Sequence, residues 1–279
     1  MKIFNVKSLF DSHCHLNDVA FDLDRENVVN ATISKSVNAI IDVAVDLQSA
    51  QKAISNSLAF PELVWATVGI HPETLIPGSE LFMGKVTKLN LQEKISQISD
   101  LITANQNQVV MIGECGIDLF WLRKNNCSND IYSTSRTLQI NLFEQHLQLA
   151  ELFHLPLSIH ARDDDDLCFD ILHDYQGRVE AVFHSFTGDY QAAKDILDLG
   201  YKIGINGIIT FNSAQQIREA IKSIIGTKIQ TPEQLYQKGI LLETDAPLLS
   251  FGQNRGKRNV PEAILELFQF ISNLFNLHN

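Results

Sequence analysis

Cysteine is scarce in this sequence: four in 279 residues, at 14, 115, 127 and 168, with no two spaced as CxxC. That excludes a disulfide framework, and a chain of this length can bury a core without one. Free thiols point to a reduced, cytoplasmic protein. No run approaches the ~18 apolar residues that cross a bilayer, so no membrane association is expected. Met1 to Phe10 carries two lysines but lacks the apolar stretch of a signal peptide. Positive charge is also short, with 22 Lys and Arg against 33 Asp and Glu and a net charge of −11. This argues against broad adhesion to nucleic acid, which needs many cationic contacts to phosphate. It does not exclude action on nucleic acid, because cations bound in a cleft invert the local field. No internal repeat and no low-complexity tract is present.

What the sequence does have is an alternation of short apolar runs with amphipathic stretches. Strands are expected near Leu9–Asp11, Val37–Val45, Leu63–Ile70, Val109–Ile112, Leu157–His160, Ala181–His184, Gly200–Ile205 and Gly239–Glu243. Runs such as "VNAIIDVAV" and "GILLETD" suit strands buried on both faces of a parallel sheet. Between them, "TLQINLFEQHLQLAELFHL" spaces Leu138, Leu142, Leu149 and Leu152 as a helical stripe. "DYQAAKDILDLG" offers Asp189 as an N-cap and Gly200 as a stop. Eight strands, each followed by a helix, predict a single (β/α)8 TIM barrel over residues 1–279. Leu75–Gly84 reads as a loop, and polar Leu119–Ser135 as a long, mobile excursion after the fourth strand. The acidic run Asp163–Asp166 reads as the first turn of a helix.

The residues with chemistry sit where strands end. In "FDSHCHL", strand alternation lets His13 and His15 face one way while Cys14 turns back. Glu114 in "GECGID", His160 in "IHARD", His184 in "FHSFTG" and Asp245 in "LLETDAP" each lie at the close of an apolar run. That is the catalytic end of a barrel strand. Imidazole and carboxylate together suit Mg, Mn or Zn. His146, His154, His173 and His278 fall on helical stretches and read as ordinary core or surface residues. Cys14 and Cys115 flank candidate ligands but turn away from them, as packing residues.

The order "FDSHCHL", "GIHP", "GECGID", "IHARD", "FHSFTG", "LLETDAP", "RGKRN" resembles the TatD family of metal-dependent deoxyribonucleases, among the amidohydrolase-like barrels. The resemblance runs from about Phe10 to Pro261. It implies two divalent metal ions, one held by His13, His15 and Asp245, the other by His160 and His184, with Glu114 bridging. Asp245 would orient or deprotonate a two-metal-activated water, Glu114 would hold the metal spacing, and His71 would contact substrate. The implied substrate is DNA. Arg255, Lys257 and Arg258, otherwise a solvated basic loop, would meet its phosphates, and Arg162 beside His160 would reach substrate or an acidic neighbour.

Two features depart from the family pattern. After "GECGID" the tyrosine-rich segment is replaced by Leu119, Phe120 and Trp121 and the polar stretch, and Leu75–Lys94 is longer than expected. A small phosphoester or an amide is therefore an alternative substrate class for the same metal site. A non-catalytic metal-binding scaffold is a third reading, against which the full set of six ligands argues. A monomer is favoured.

Overall fold

The computed structural model describes residues 8–79, 81–82, 90–163 and 165–275. Several sequence features therefore lie outside the described residues: Lys2, Lys7, Gly84, Asp164 and His278. All eight apolar runs form strands: β1 (Asp11–Cys14), β2 (Ile40–Asp42), β3 (Val64–Val68), β4 (Val109–Asp118), β5 (Leu157–Arg162), β6 (Ala181–Phe183), β7 (Lys202–Ile205) and β8 (Ile240–Leu242). They pair in the order β1 to β8 in one sheet, and helices alternate with them, which is the (β/α)8 barrel. β4 is longer than its apolar core because "GECGID" continues the strand past Ile112. No helix among the described residues is long and apolar enough to cross a membrane.

By contact the chain divides into two units. The first comprises Met1–Asp42, Asn56–Trp65 and Phe183–Asn279. Within it β8 returns to β1: the Asp245 amide donates to the His13 carbonyl and the His15 amide to the Ala246 carbonyl. Asp11 accepts from the Thr244 amide (2.9 Å) and hydroxyl. Cys14, Leu16, Phe21, Val28, Val29 and Ile40 pack beneath that junction, so Cys14 is a core residue. Asp189 caps α7 (Tyr190–Asp198) by accepting from the Ala192 amide, and Gly200 follows its end at a φ of 87°.

The second unit comprises Val43–Ser55 and Ala66–Val182. Here the expected excursion at Leu119–Ser135 is helical: α4 (Phe120–Lys124) leads to α5 (Asn129–Phe153), 25 residues long. Ser128 starts α5 by accepting from the Ile131 amide. The first turns of α5 are largely exposed, so they carry no apolar stripe for a periodicity argument to detect. The buried stripe also differs from expectation. Leu142, Phe143, Leu147, Leu149 and Ala150 are buried, but Leu152 is 66% exposed. Polar Ser135, Gln139 and His146 complete the inner face.

Each of those three polar groups holds a piece of backbone. Gln139 binds both the amide and the carbonyl of Asp118, at 2.8 and 3.0 Å. Ser135 donates to the Leu75 carbonyl. His146 Nδ1 donates to the Leu142 carbonyl (2.8 Å), so Nε2 is the acceptor for the Ile70 amide (3.2 Å). This ring must be neutral, and burial pushes it down to about 4 from 6.5 against the raising effect of the Leu142 bond. The folded state thus refuses a proton that the unfolded chain accepts. His146 leaves stability intact above pH 6.5 and removes about 3 kcal/mol as pH falls from there to 4. Urea midpoints followed from pH 7 to 4 should therefore drop more steeply for the wild type than for His146→Gln, whose amide keeps an acceptor but takes up no proton. Parallel curves would remove His146 from the account.

Candidate metal centre

Strand alternation delivers the first cluster as the spacing predicts. His13 and His15 flank the buried Cys14, and Glu243, Thr244 and Asp245 follow directly on the end of β8. Asp245 turns its backbone to a φ of 56° immediately beyond the strand. Its Oδ1 lies 3.2 Å from His15 Nε2, 3.8 Å from His13 Nε2 and 3.9 Å from His184 Nε2. Burial raises the Asp245 carboxyl, but the surrounding imidazoles of His15, His184 and His13 outweigh it and hold the group below the usual carboxylate range. His13 and His184 stack, with centroids 3.5 Å apart. His184 Nδ1 lies 2.9 Å from Glu243 Oε1, which also accepts from the Ser185 amide. Glu243 fits because position 204 on β7 is glycine. A Cβ there would sit 2.1 Å from Glu243 Oε2.

The second unit carries its own cluster. Glu114 Oε1 lies 2.9 Å from His160 Nδ1 and 3.3 Å from His71 Nε2. His160 Nε2 meets Asp118 Oδ2 at 3.0 Å. Burial pulls the His160 ring down, but Asp118 and Glu114 on its two nitrogens carry it up to about 10. His71 Nδ1 accepts from the Glu73 amide, which leaves Nε2 to face Glu114. The close passage of β4 and β5 depends on Gly116, which pairs with His160 at a φ of 129°.

Two donor sets, His13–His15–Asp245 and His71–Glu114–His160, each fall within 4.8 Å. Ligands about 2.0–2.1 Å from one tetrahedral ion lie roughly 3.3 Å apart, so each set brings the right donor types together and needs only a small contraction to hold a divalent cation. One histidine in each unit is also backed by a carboxylate, Glu243 behind His184 and Asp118 behind His160. That arrangement fixes which ring nitrogen faces a cation and raises its basicity. In His160 the proton on Nδ1 is the one a cation would replace. Asp118→Asn should therefore lower metal affinity by about 10- to 100-fold, measured by equilibrium dialysis. Unchanged affinity would show that Asp118 only supports the strand.

No motif marks Asp118 or Glu243 in the sequence beyond an acidic residue closing an apolar run, yet both are fully buried. The other expected contacts are placed as follows. Arg162 is exposed at the end of β5, with its guanidinium 3.6 Å over the Phe120 ring. Arg255 lies over Phe211 at 4.4 Å, and Lys257 is exposed. Arg258 makes a bidentate pair with Asp24 (2.8 and 2.6 Å) and lies over Phe21, tying the basic loop to the start of α1 (Arg25–Ser34). His154 caps α5 in the left-handed region and His173 closes α6 (Asp165–His173). Cys115 is buried, as expected of a packing residue.

Parallel strands bearing imidazole and carboxylate donors at their C-terminal ends define a barrel of the metal-dependent hydrolase class. The chain belongs to the TatD-related DNase family, whose pattern matches residues 10–279. It is 30% identical to a metal-dependent hydrolase of Mycoplasma genitalium, MG009, covering 95% of this chain and 90% of that protein. It is 27% identical to YabD, a metal-dependent hydrolase of Bacillus subtilis, over 95% and 91% of the two chains. The crystal structure of YjjV, a TatD homologue from Escherichia coli, superposes with a TM-score of 0.77 at 27% identity, covering 95% of this chain and 90% of that one. A TatD family hydrolase from Entamoeba histolytica shares the fold at TM-score 0.73 and 20% identity, over 96% and 93%.

Proposed function

We propose that this protein hydrolyses phosphodiester bonds of DNA with two divalent metal ions, Mg, Mn or Zn, held by its imidazole–carboxylate clusters. The observation that carries the proposal is the paired build: an inner carboxylate among histidines in each unit, with a second carboxylate orienting one histidine. His13, His15 and Asp245 are proposed for one ion and His160 and His184 for the other. The bridging role of Glu114 is drawn from the family resemblance. When bound, two such ions lower the pKa of water and neutralise charge on the phosphoryl oxygens.

The chain's own groups supply the rest. Asp245, kept ionised by its histidines, is proposed to orient the attacking water or take its proton. Glu114 and Asp118 hold His160 from both sides, and His71 presents Nε2 beside Glu114, where it can donate to a substrate oxygen. Arg162, Arg255 and Lys257 are proposed phosphate contacts. For Arg258 the pair with Asp24 favours a structural role. Cys14, Cys115, Cys127 and Cys168 form no disulfide, which fits action in a reducing, cytoplasmic setting.

The test is hydrolysis by metal-stripped protein, titrated with Mg, Mn or Zn, of single-stranded DNA, duplex DNA, bis(p-nitrophenyl) phosphate and a cyclic amide in parallel. Metal-dependent cleavage of the phosphodiesters is the expected result. Cleavage of the amide alone would overturn the assignment.

A further inference from the structure

Four side chains of the second unit form a cationic strip that the metal clusters do not use. Arg162 follows His160 by two residues in β5, so the pleat puts both on the same side of the strand. Its guanidinium carbon sits 3.6 Å from the Phe120 centroid. Phe120 meets Trp121 edge to face at 5.4 Å. Lys124 Nζ lies 4.0 Å from the Trp121 ring and 5.4 Å from the Phe120 ring. Trp121 is anchored in turn, its Nε1 donating to Glu73 Oε1 at 2.8 Å, two residues beyond His71. The strip is therefore tied at both ends to residues next to the cluster histidines.

The way these cations are held bears on what they can bind. Arg258 and Arg178 direct their donors into carboxylates of Asp24 and Glu151. Arg162 and Lys124 are instead seated on aromatic faces, which attract the cation without accepting hydrogen bonds in the guanidinium plane. A guanidinium lying on a ring keeps its in-plane fork available, and that fork matches two phosphate oxygens. Both residues are exposed, whereas the His160 side chain is only 16% accessible. The order from His160 to Arg162 to Lys124 runs from a buried reaction centre to open surface, on a chain whose net charge of −11 would otherwise repel a polyanion.

We propose that Arg162 and Lys124, positioned by Phe120 and Trp121, bind a second phosphate of the substrate strand, so that an oligonucleotide is preferred to a single phosphodiester. This rests on the hydrolase reading above for its reaction, but binding can be measured apart from it. The experiment follows a fluorescein-labelled oligothymidylate by anisotropy across a salt series, with wild type, Arg162→Ala, Lys124→Ala, Phe120→Ala and Phe120→Tyr. In parallel, kcat/KM is compared for the oligonucleotide and bis(p-nitrophenyl) phosphate with Mn. Each alanine variant should bind the oligonucleotide roughly tenfold more weakly. For Arg162→Ala and Lys124→Ala the slope of log Kd against log salt should fall by about one. The ratio of kcat/KM between the two substrates should fall with binding, mainly through KM, and Phe120→Tyr should restore it. Wild-type affinity and salt slope in Arg162→Ala, Lys124→Ala and Phe120→Ala would overturn the proposal, as would equal losses on both substrates. If wild type binds the oligonucleotide in this salt-dependent way yet cleaves neither substrate with any metal, the hydrolase reading fails and the strip stands.

Discussion

Replacing Glu114 by Ala is expected to abolish hydrolysis and to lower bound metal. The side chain is 4% exposed, and its Oε1 stands within 3.3 Å of both His160 Nδ1 and His71 Nε2. Its loss removes the one carboxylate of the His71–Glu114–His160 donor set. Cation charge is then less compensated, and His160 loses the contact that orients Nδ1. Metal-ion stabilisation of a phosphoryl transition state amounts to several kcal/mol. At 1.36 kcal/mol per decade that is about a 10³-fold loss of kcat. Metal content by plasma emission and turnover of a phosphodiester should fall together. Arg255→Ala and Lys257→Ala supply the contrast: neither side chain ligates a cation, so metal content should hold while affinity for longer DNA weakens, least at high salt. Full activity and full metal in Glu114→Ala would end the two-metal proposal.

The second large effect is expected at Gly116. A Cβ there would lie 2.1 Å from the carbonyl oxygen of His160 and 3.1 Å from its carbonyl carbon. The φ of 129° is also one that residues with a Cβ rarely adopt. Both obstacles are backbone, so no rotamer relieves them. Gly116→Ala must part β4 from β5 at the residue that carries His160, and overpacking and dihedral strain together cost about 4 kcal/mol. At 2–4 °C per kcal/mol for a domain of this size class, thermal unfolding should move down by roughly 8–16 °C, unless the variant fails to accumulate. Gly177→Ala is the internal control. It shares a positive φ of 74°, but nothing lies within 4 Å of its Cβ, so only the dihedral cost of about 1 kcal/mol applies. Equal shifts in the two variants would show that crowding at His160 is not what makes position 116 glycine.

The eight strands and the candidate donors at their ends are legible in the chain because both are local signals. A buried parallel strand must be apolar along its length, and a donor at its end breaks that run visibly, as in "SIHARD" or "LLETDAP". Tertiary structure alone decided the rest. The start of α5 carries no buried apolar stripe, so 119–135 read as a loop although Ser128 and the following turns form helix. His146 reads as an ordinary core or surface residue, and Gln139 carries no signal of its own, until the Ile70 amide and β4 arrive as their partners. The bidentate pair of Arg258 with Asp24, 234 positions away, is likewise invisible in the basic loop itself. Glu243 and Asp118 became orienting groups only because His184 and His160 lie beside them. Composition and periodicity determine which residues are buried and where strands end. Which polar group meets which depends on partners far apart in the chain, and a buried charge acquires its role from the atom it is forced to face.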